Sequence, residues 1–277
     1  MASNYTPKNF AIQQVFEILL RDPSTKAPIA YLDNCKTTGL TNEQTMVYPT
    51  GARGNVYIGG GFGHSRRASM SVTNATWNTG VMGIQIGSEI ATGSNTNAIY
   101  YDVITTASSA TKTKYQAQGD AGKEIGVIYK LNDDGTYGDK YTQVTAATED
   151  KTFSYASATG VISFADGKAP ADGTKFACAY SIDAGASAQT IPVVAAGQPK
   201  TALVTAMGLV KDIETGDFYQ AQINGLAQIS GAWNWDLAAD GEPAAQSLDL
   251  EFVKKYSAKN LYEIIVWNEE DAKKVTE

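Results

Sequence analysis

Ser247-Leu248-Asp249-Leu250-Glu251-Phe252 alternates without interruption. Successive side chains of a strand point to opposite faces, so Leu248, Leu250 and Phe252 share one side and Ser247, Asp249 and Glu251 the other. This is the period of a half-buried strand, not of a helix. Phe218–Asn224 repeats it, with Tyr219, Ala221 and Ile223 on one face and Gln220, Gln222 and Asn224 on the opposite one. Two strands that each bury one apolar face predict a sheet packed on a core. Their polar faces allow two readings: an ordinary solvated sheet surface, or the wall of a wet, negatively charged channel built from small amides and carboxylates.

Working outward, Leu203–Asp212 leads through the turn Glu214-Thr215-Gly216-Asp217 into Phe218–Leu226. Residues 228–240 are expected to continue the sheet, Gly241-Glu242-Pro243 to turn it, and Leu261–Trp267 to close the fold. The charged end, Asn268–Glu277, is expected to fray. Near the start, Val15–Leu20 is too short and too close to Pro23 for a helix, and predicts a buried strand. The turn Asp22–Pro28 then returns Ile29–Asp33 as its hairpin partner. Arg66–Trp77 alternates into another strand, and Val81–Ile90 is the best helix candidate despite Gly83 and Gly87. Residues 36–65 break the pattern. They are rich in Thr, Asn and Gly, lack periodicity and end in Gly59-Gly60-Gly61-Phe62-Gly63-His64. So long an aperiodic stretch reads either as an arm that orders against a neighbouring subunit or as a surface loop.

From 98 to 198 the texture changes. Asp133-Asp134-Gly135, Thr159-Gly160, Asp166-Gly167 and Asp172-Gly173 punctuate the short runs Gly126–Leu131, Thr152–Tyr155, Val161–Phe164 and Thr174–Ile182. Asp-Gly supplies the positive φ of tight hairpins, and evenly spaced short strands predict a small β-sandwich. The expected organisation is one discontinuous domain, residues 1–97 and 199–277, interrupted by an inserted domain over 98–198. The fold class is mainly β.

Composition narrows the function. The chain of 277 residues is 43% hydrophobic and carries 15 Tyr and 4 Trp, as a folded protein does. Residues 1–10 show no basic start followed by an apolar run, so no signal peptide is expected. No stretch approaches the roughly 18 apolar residues of a membrane span. Cys35 and Cys178 lie far apart and suit buried thiols in a reducing compartment better than a disulfide framework. The net charge is −7, and residues 201–277 account for it, with 13 acidic against 6 basic side chains. Nucleic-acid binding needs basic stripes that displace phosphate counterions, so a tight grip on DNA or RNA is not expected.

The motifs that suggest chemistry are weak. Gly119-Asp120-Ala121-Gly122-Lys123-Glu124 has its glycines too close for a phosphate loop, and Glu124 stands where Mg²⁺ would need a hydroxyl. In Asn132-Asp133-Asp134-Gly135, a calcium-loop register puts Lys130 first and Tyr141 twelfth, neither a carboxylate, so a hairpin turn is the better reading. The single histidine, His64, sits in a glycine-rich stretch with no nucleophile elbow, and three Cys and His in all are too few and too scattered for zinc. Neither catalysis nor a cofactor or metal is expected.

The run Ile229–Phe252, with its turn Ala239-Asp240-Gly241-Glu242-Pro243-Ala244 between two strands, resembles the bacteriophage major tail-tube family. Leu261-Tyr262-Glu263-Ile264-Ile265 resembles that family's closing strand. Phe16–Asp33, residues 36–65 and residues 79–90 sit where the tube fold would have its first hairpin, its intersubunit arm and its flanking helix. The resemblance implies a tube-type β-sandwich or barrel with one short flanking helix, joined into rings of six that stack into a tube. Gln220, Gln222, Asn224, Asp249 and Glu251 would line an acidic lumen through which viral DNA slides without specific binding. Tyr48, Arg53, Tyr57, Gly59, Gly60, Gly61, Phe62, Gly63 and His64 would contact the adjacent subunit, and the inserted domain, which resembles the immunoglobulin-like β-domains often inserted in phage structural proteins, would face outward. Implied partners are further copies of the chain, a tape-measure protein and other tail proteins, with no membrane. The expected location is the virion tail, assembled in the host bacterial cytoplasm. The alternatives are a cell-surface adhesin or carbohydrate-binding module, or another virion part such as a head-decoration or tail-terminator protein.

Overall fold

The computed structural model describes residues 8–51, 56–57, 60–93, 96–108, 110–234, 241, 243–254 and 257–269, and for 50, 51, 56 and 57 the backbone alone. The N-terminal part holds β1 (Phe10–Ile12), β2 (Glu17–Arg21), β3 (Pro28–Leu32), β4 (Cys35–Val47), β5 (Thr50–Gly51), β6 (Val56–Tyr57), β7 (Phe62–Asn74) and the helix α1 (Thr79–Ile86). The middle holds β8 (Ala91–Thr92), β9 (Asn97–Thr105), β10 (Thr111–Lys112), β11 (Val127–Leu131) and β12 (Tyr137–Gln143). It continues with β13 (Thr152–Ala156), β14 (Val161–Phe164), β15 (Lys175–Asp183) and β16 (Gln189–Thr190). The C-terminal part adds β17 (Thr201–Asp212), β18 (Phe218–Ile229), β19 (Gln246–Phe252) and β20 (Tyr262–Trp267). The chain is mainly β.

Residue contacts divide it into two compact units, Met1–Ile90 with Ile191–Glu277, and Ala91–Thr190. The shorter unit opens and closes with the paired strands β8 and β16, Thr92 lying opposite Gln189. Its limits therefore fall earlier than the 98 and 198 drawn from turn chemistry.

In the larger unit the order is β3-β2-β17-β18-β19-β7-β4, with β1 joining β17 and β20 joining β18. Strands β3 and β4 stand at opposite ends of this path, yet only Asp33 and Asn34 separate them in sequence. The sheet must therefore roll until its ends meet, and it forms a nearly closed barrel. The backbone N–H of Phe16, just before β2, donates to Thr38 Oγ1 of β4 across the gap, at 3.1 Å.

The central hairpin β17–β18 pairs from Thr201 opposite Gln228 to Lys211 opposite Phe218. Its length lets each outer edge carry two partners in succession. β2 and then β1 follow β17, while β20 and then β19 follow β18. The inward faces supply Ile18, Leu20, Met70, Val72, Val204, Ile223, Leu248 and Leu250 to one core. Each such side chain contributes about 1.5–3 kcal/mol on full burial. Gly208 is required where β17 crosses Phe16: a Cβ there would lie 2.0 Å from the ring.

Helix α1 plugs this unit, with every residue from Val81 to Ile86 buried. Asn78 caps it, its side chain accepting from the Val81 N–H. It ends at Gly87, not at Ile90, because Gly87 takes a left-handed φ of 71° and a Cβ there would meet the Gln198 carbonyl. A buried amide cluster fixes the helix to β19. The Asn78 N–H donates to Gln246 Oε1 at 2.9 Å, and Gln85 Nε2 donates to the Ser247 carbonyl at 3.1 Å. Gln246 Nε2 in turn donates to Gln85 Oε1.

Two expectations are corrected here. Residues 36–47 and 62–65 are not irregular: they belong to the 13-residue strands β4 and β7, paired from Cys35 opposite Asn74 to Val47 opposite Phe62. The sheet also does not run on through 228–240. β18 stops at Ile229, and the Ser230 N–H donates to the Asp249 carbonyl instead. Residues 235–240, and with them most of the quoted turn, lie outside the described residues.

In the smaller unit seven strands form one path, β10-β14-β13-β12-β11-β15-β9. Strands β12 and β13 run parallel, the other pairs antiparallel. Phe153, Phe176, Ile128 and Ile104 fill its core. Asn132-Asp133-Asp134-Gly135 is the β11–β12 turn, with the Asp134 carboxylate accepting from the Thr136 N–H and hydroxyl. Those two hydrogen bonds hold its pKa below the usual carboxylate value. Gly119–Glu124 is likewise a turn, closed by the Lys123 N–H on the Asp120 carbonyl.

Candidate assembly surfaces

The register puts all five polar residues singled out on β18 and β19 on the outward face of the barrel sheet. Gln220, Gln222 and Asn224 alternate with the buried Tyr219, Ala221 and Ile223. Asp249 and Glu251 alternate with the buried Leu248, Leu250 and Phe252. They form two groups on that face. Gln220, Gln222 and Asn224 lie between β17 and β20, opposite Leu209, Met207 and Thr205 on one side and Trp267, Ile265 and Glu263 on the other. Asn224 is committed to structure: Arg21 Nη2 donates to Thr205 Oγ1 at 3.1 Å, and that hydroxyl donates to Asn224 Oδ1 at 2.9 Å.

Asp249 and Glu251 face Ser71 and Ser69 of β7, which face Gly39 and Thr41 of β4. Here the neighbours of the two carboxylates are hydroxyls and a glycine. Thr41, Ser69, Asp249 and Glu251 line an open cleft of about 470 Å³ together with Glu43, Arg67, Gln228 and Ser230, over Ala68, Ile229 and Leu250. Sequence reading missed Glu43 and Arg67, which are direct cross-strand partners. Arg67 falls in the run read as a strand, but residues 36–47 show no apolar alternation, so nothing in the sequence announced β4 and with it the Glu43–Arg67 pair.

The β4–β7 hairpin changes character along its length. Near its root, β7 is sandwiched between β4 and β19. From Asn42 to Val47 and from Phe62 to Arg67 every residue is exposed. Among the described strands this distal part has no third neighbour, so it projects as a bare two-stranded ribbon. Val47 and Phe62 are cross-strand partners at 52% and 70% exposure. Of the residues expected to contact an adjacent subunit, Tyr48, Gly60, Gly61, Phe62, Gly63 and His64 lie on or next to this ribbon. The Tyr48 ring packs where a Gly61 Cβ would be. Tyr57 is described by its backbone alone, in a short pairing with Thr50, and Arg53 and Gly59 lie outside the described residues.

Four strands of the nine-stranded barrel sheet, β1, β3, β4 and β20, pair on one side only among the described strands. Strand β20 exposes Ile264 on its inward face and Ile265 on its outward face. An apolar strand with a free edge is a template for another chain.

Among the described residues no group of three or more His, Cys, Asp and Glu could hold a metal ion. The exposed His64 has Nδ1 2.9 Å from Ser65 Oγ, its own neighbour. Burial pushes the Cys35 thiol up to about 11 and the Cys178 thiol up to about 12. Neither is a ready nucleophile at neutral pH. No described helix is long and apolar enough to cross a membrane.

Compared with known proteins, the chain matches a family model described as the YomU/Tube protein family over residues 10–264, which spans both units. No curated protein sequence matches it.

Proposed function

Because the chain belongs to the YomU/Tube protein family, a phage tube-type family, we propose that its subunits close into rings, six to a ring, which stack into the tube that conducts viral DNA. Membership makes the chain a structural protein of a phage tube, self-assembling and resident in the virion tail. On the proposed reading its role is architectural rather than catalytic and needs no cofactor. Assembly takes place in the host bacterial cytoplasm, alongside a tape-measure protein and other tail proteins. The smaller unit decorates the outside of the tube, since a DNA channel leaves it no room.

The observation that carries this reading is the barrel unit's combination of unpartnered edge strands with one acidic, hydroxyl-rich outer face. Ring closure pairs edges that would otherwise invite indiscriminate aggregation, and stacking extends a heterologous contact into a filament. Asp249 and Glu251, with Gln220, Gln222 and Asn224, then line the lumen. Carboxylates there repel phosphates, so DNA slides instead of sticking. Negative-stain microscopy of the purified chain tests assembly, with rings or tubes expected and a persistent monomer refuting it. Asp249→Lys with Glu251→Lys tests the lumen. Tubes should still form while DNA delivery by phage carrying them falls, and unchanged delivery would remove these residues from the channel.

One observation favours a second reading, a carbohydrate-binding role for the smaller unit. Tyr101, Tyr129 and Tyr137 crowd one exposed patch, with the Tyr129 and Tyr137 rings 5.8 Å apart and the Tyr101 and Tyr137 hydroxyls 3.4 Å apart. Exposed rings with polar tips suit stacking on sugars. Oligosaccharides that quench tyrosine fluorescence would support it, and no response would dismiss it.

A further inference from the structure

The barrel unit leaves an apolar groove open beside the root of its own arm. About 440 Å³ in volume, it is lined by Phe10 and Ile12 of β1, Val15, Leu40 of β4, and Ile264 and Val266 of β20, with Phe16, Met70 and Ile223 at the back. Phe10, Ile12, Val15 and Ile264 are 42%, 65%, 42% and 54% exposed. None of the lining residues is charged. A groove of this kind holds water poorly and stabilises whatever apolar group displaces it.

The same chain carries a matching projection. Val47 and Phe62 stand opposite each other on one face of the ribbon, both exposed. Residues 44–48 and 60–65 around them contain no carboxylate, lysine or arginine. Docking the projection in the groove would bury apolar surface on both sides without stripping water from any charge, only the amides of Gln13 and Gln14 and the Thr38 hydroxyl being polar among the groove's side chains.

Geometry forbids the insertion within one chain. Leu40 lines the groove, and Val47 lies seven residues farther along the same strand, about 23 Å away at the rise of an extended backbone. A paired hairpin cannot bend back over that span. We infer that the Val47–Phe62 projection of one subunit seats in the groove formed by β1, β4 and β20 of a second copy of the same chain. Projection and groove are different surfaces, so the contact is heterologous. Each subunit gives one and receives one, which is how rings or filaments grow. This inference rests on the tube reading and adds where the arm lands.

The test uses full-length chains. One variant carries Phe62→Cys in the projection and another carries Ile12→Cys at the groove rim. They are mixed, assembled and treated with a short bismaleimide. A cross-linked dimer is expected in the mixture and not in either variant alone, which also controls for Cys35, the partly exposed native thiol. A companion variant, Phe62→Asp, should lower the extent of assembly roughly tenfold or more, since its carboxylate would be buried without a partner. If the unaltered chain forms tubes but the mixture gives no cross-link, the arm lands elsewhere and this inference fails while the tube reading stands. A cross-link formed inside monomers of a chain carrying both cysteines overturns it too. If the unaltered chain forms neither rings nor tubes, the tube reading itself has failed.

Discussion

Strand β19 and the outer half of the β4–β7 hairpin have the same backbone and opposite surroundings. In β19 every second side chain is buried, from Gln246 through Leu248 and Leu250 to Phe252. In the outer hairpin no side chain is buried on either face. What differs is not strand formation but whether a face is covered. Apolar alternation therefore reports burial, and a strand whose cover comes from elsewhere is silent in the sequence. The distal ribbon is held by cross-strand pairing alone, and its exposed Val47 and Phe62 mark the side where cover is missing.

The contrast can be broken most forcefully at its buried end. Leu250→Asp places a carboxylate in the barrel core, where Leu250 is 1% exposed. The expected loss is ~4 kcal/mol or more, a large share of the whole stability of a typical domain. Denaturant titration followed by tryptophan fluorescence measures it. A loss below about 1 kcal/mol would mean that the inward face of β19 is not the core it is taken to be.

A smaller effect is expected where the cover is polar. Gln246 begins β19 on the buried face, accepts from the Asn78 N–H and donates to Gln85. Gln246→Leu keeps the bulk but strands both partners, at a cost of about 1–3 kcal/mol. Loss of α1 helicity by circular dichroism should accompany it.

These two sites also mark how far the sequence could be read. The barrel strands were legible because the rolled sheet has one wet and one dry face, and Ser247–Phe252 displays both. Helix α1 was legible in place but not in length, because its end depends on Gly87 meeting Gln198, a residue more than a hundred positions away. The order β19-β7-β4 was not legible at all. The polar wall around Asp249 and Glu251 is completed by Ser69 and Ser71, which alternate within the strand read at Arg66–Trp77, and by Thr41, which lies in a stretch with no periodic signal. Glu43 went unnoticed for the same reason, and Arg67 because the strand that pairs it with Glu43 was not visible. Chemistry spread over three strands by register becomes visible only once the register is known.

The root and tip of the arm offer a gentler comparison. Cys35 starts β4, and burial pushes its thiol up to about 11, with Glu17 and Asp33 adding to the shift. Only the thiolate reacts with alkylating reagents, so at pH 8 Cys35 should react several-fold more slowly than a thiol placed at the tip by Val47→Cys. The sign of the pH dependence follows. The folded pKa is raised, so the neutral thiol favours the fold below its ordinary value near 9, and that contribution fades as pH climbs toward about 11. Alkylation of Cys35 should accelerate over the same range. Equal rates for root and tip at pH 8 would show that the root is as open as the ribbon.

The smallest expected effect is the most informative. Phe62→Asp replaces a side chain that is 70% exposed and lies where only β4 flanks the strand. In the dilute monomer it should move unfolding stability by no more than about 0.5 kcal/mol, as exposed substitutions do. Thermal denaturation at low concentration reads this directly. A monomer weakened by more than about 1 kcal/mol would show that Phe62 already has its cover within one chain, and the distinction between β19 and the ribbon would collapse. A monomer that keeps its stability but no longer assembles would locate the missing cover of the ribbon on another subunit. The ribbon would then be a strand pair whose buried face exists only in the assembled tube.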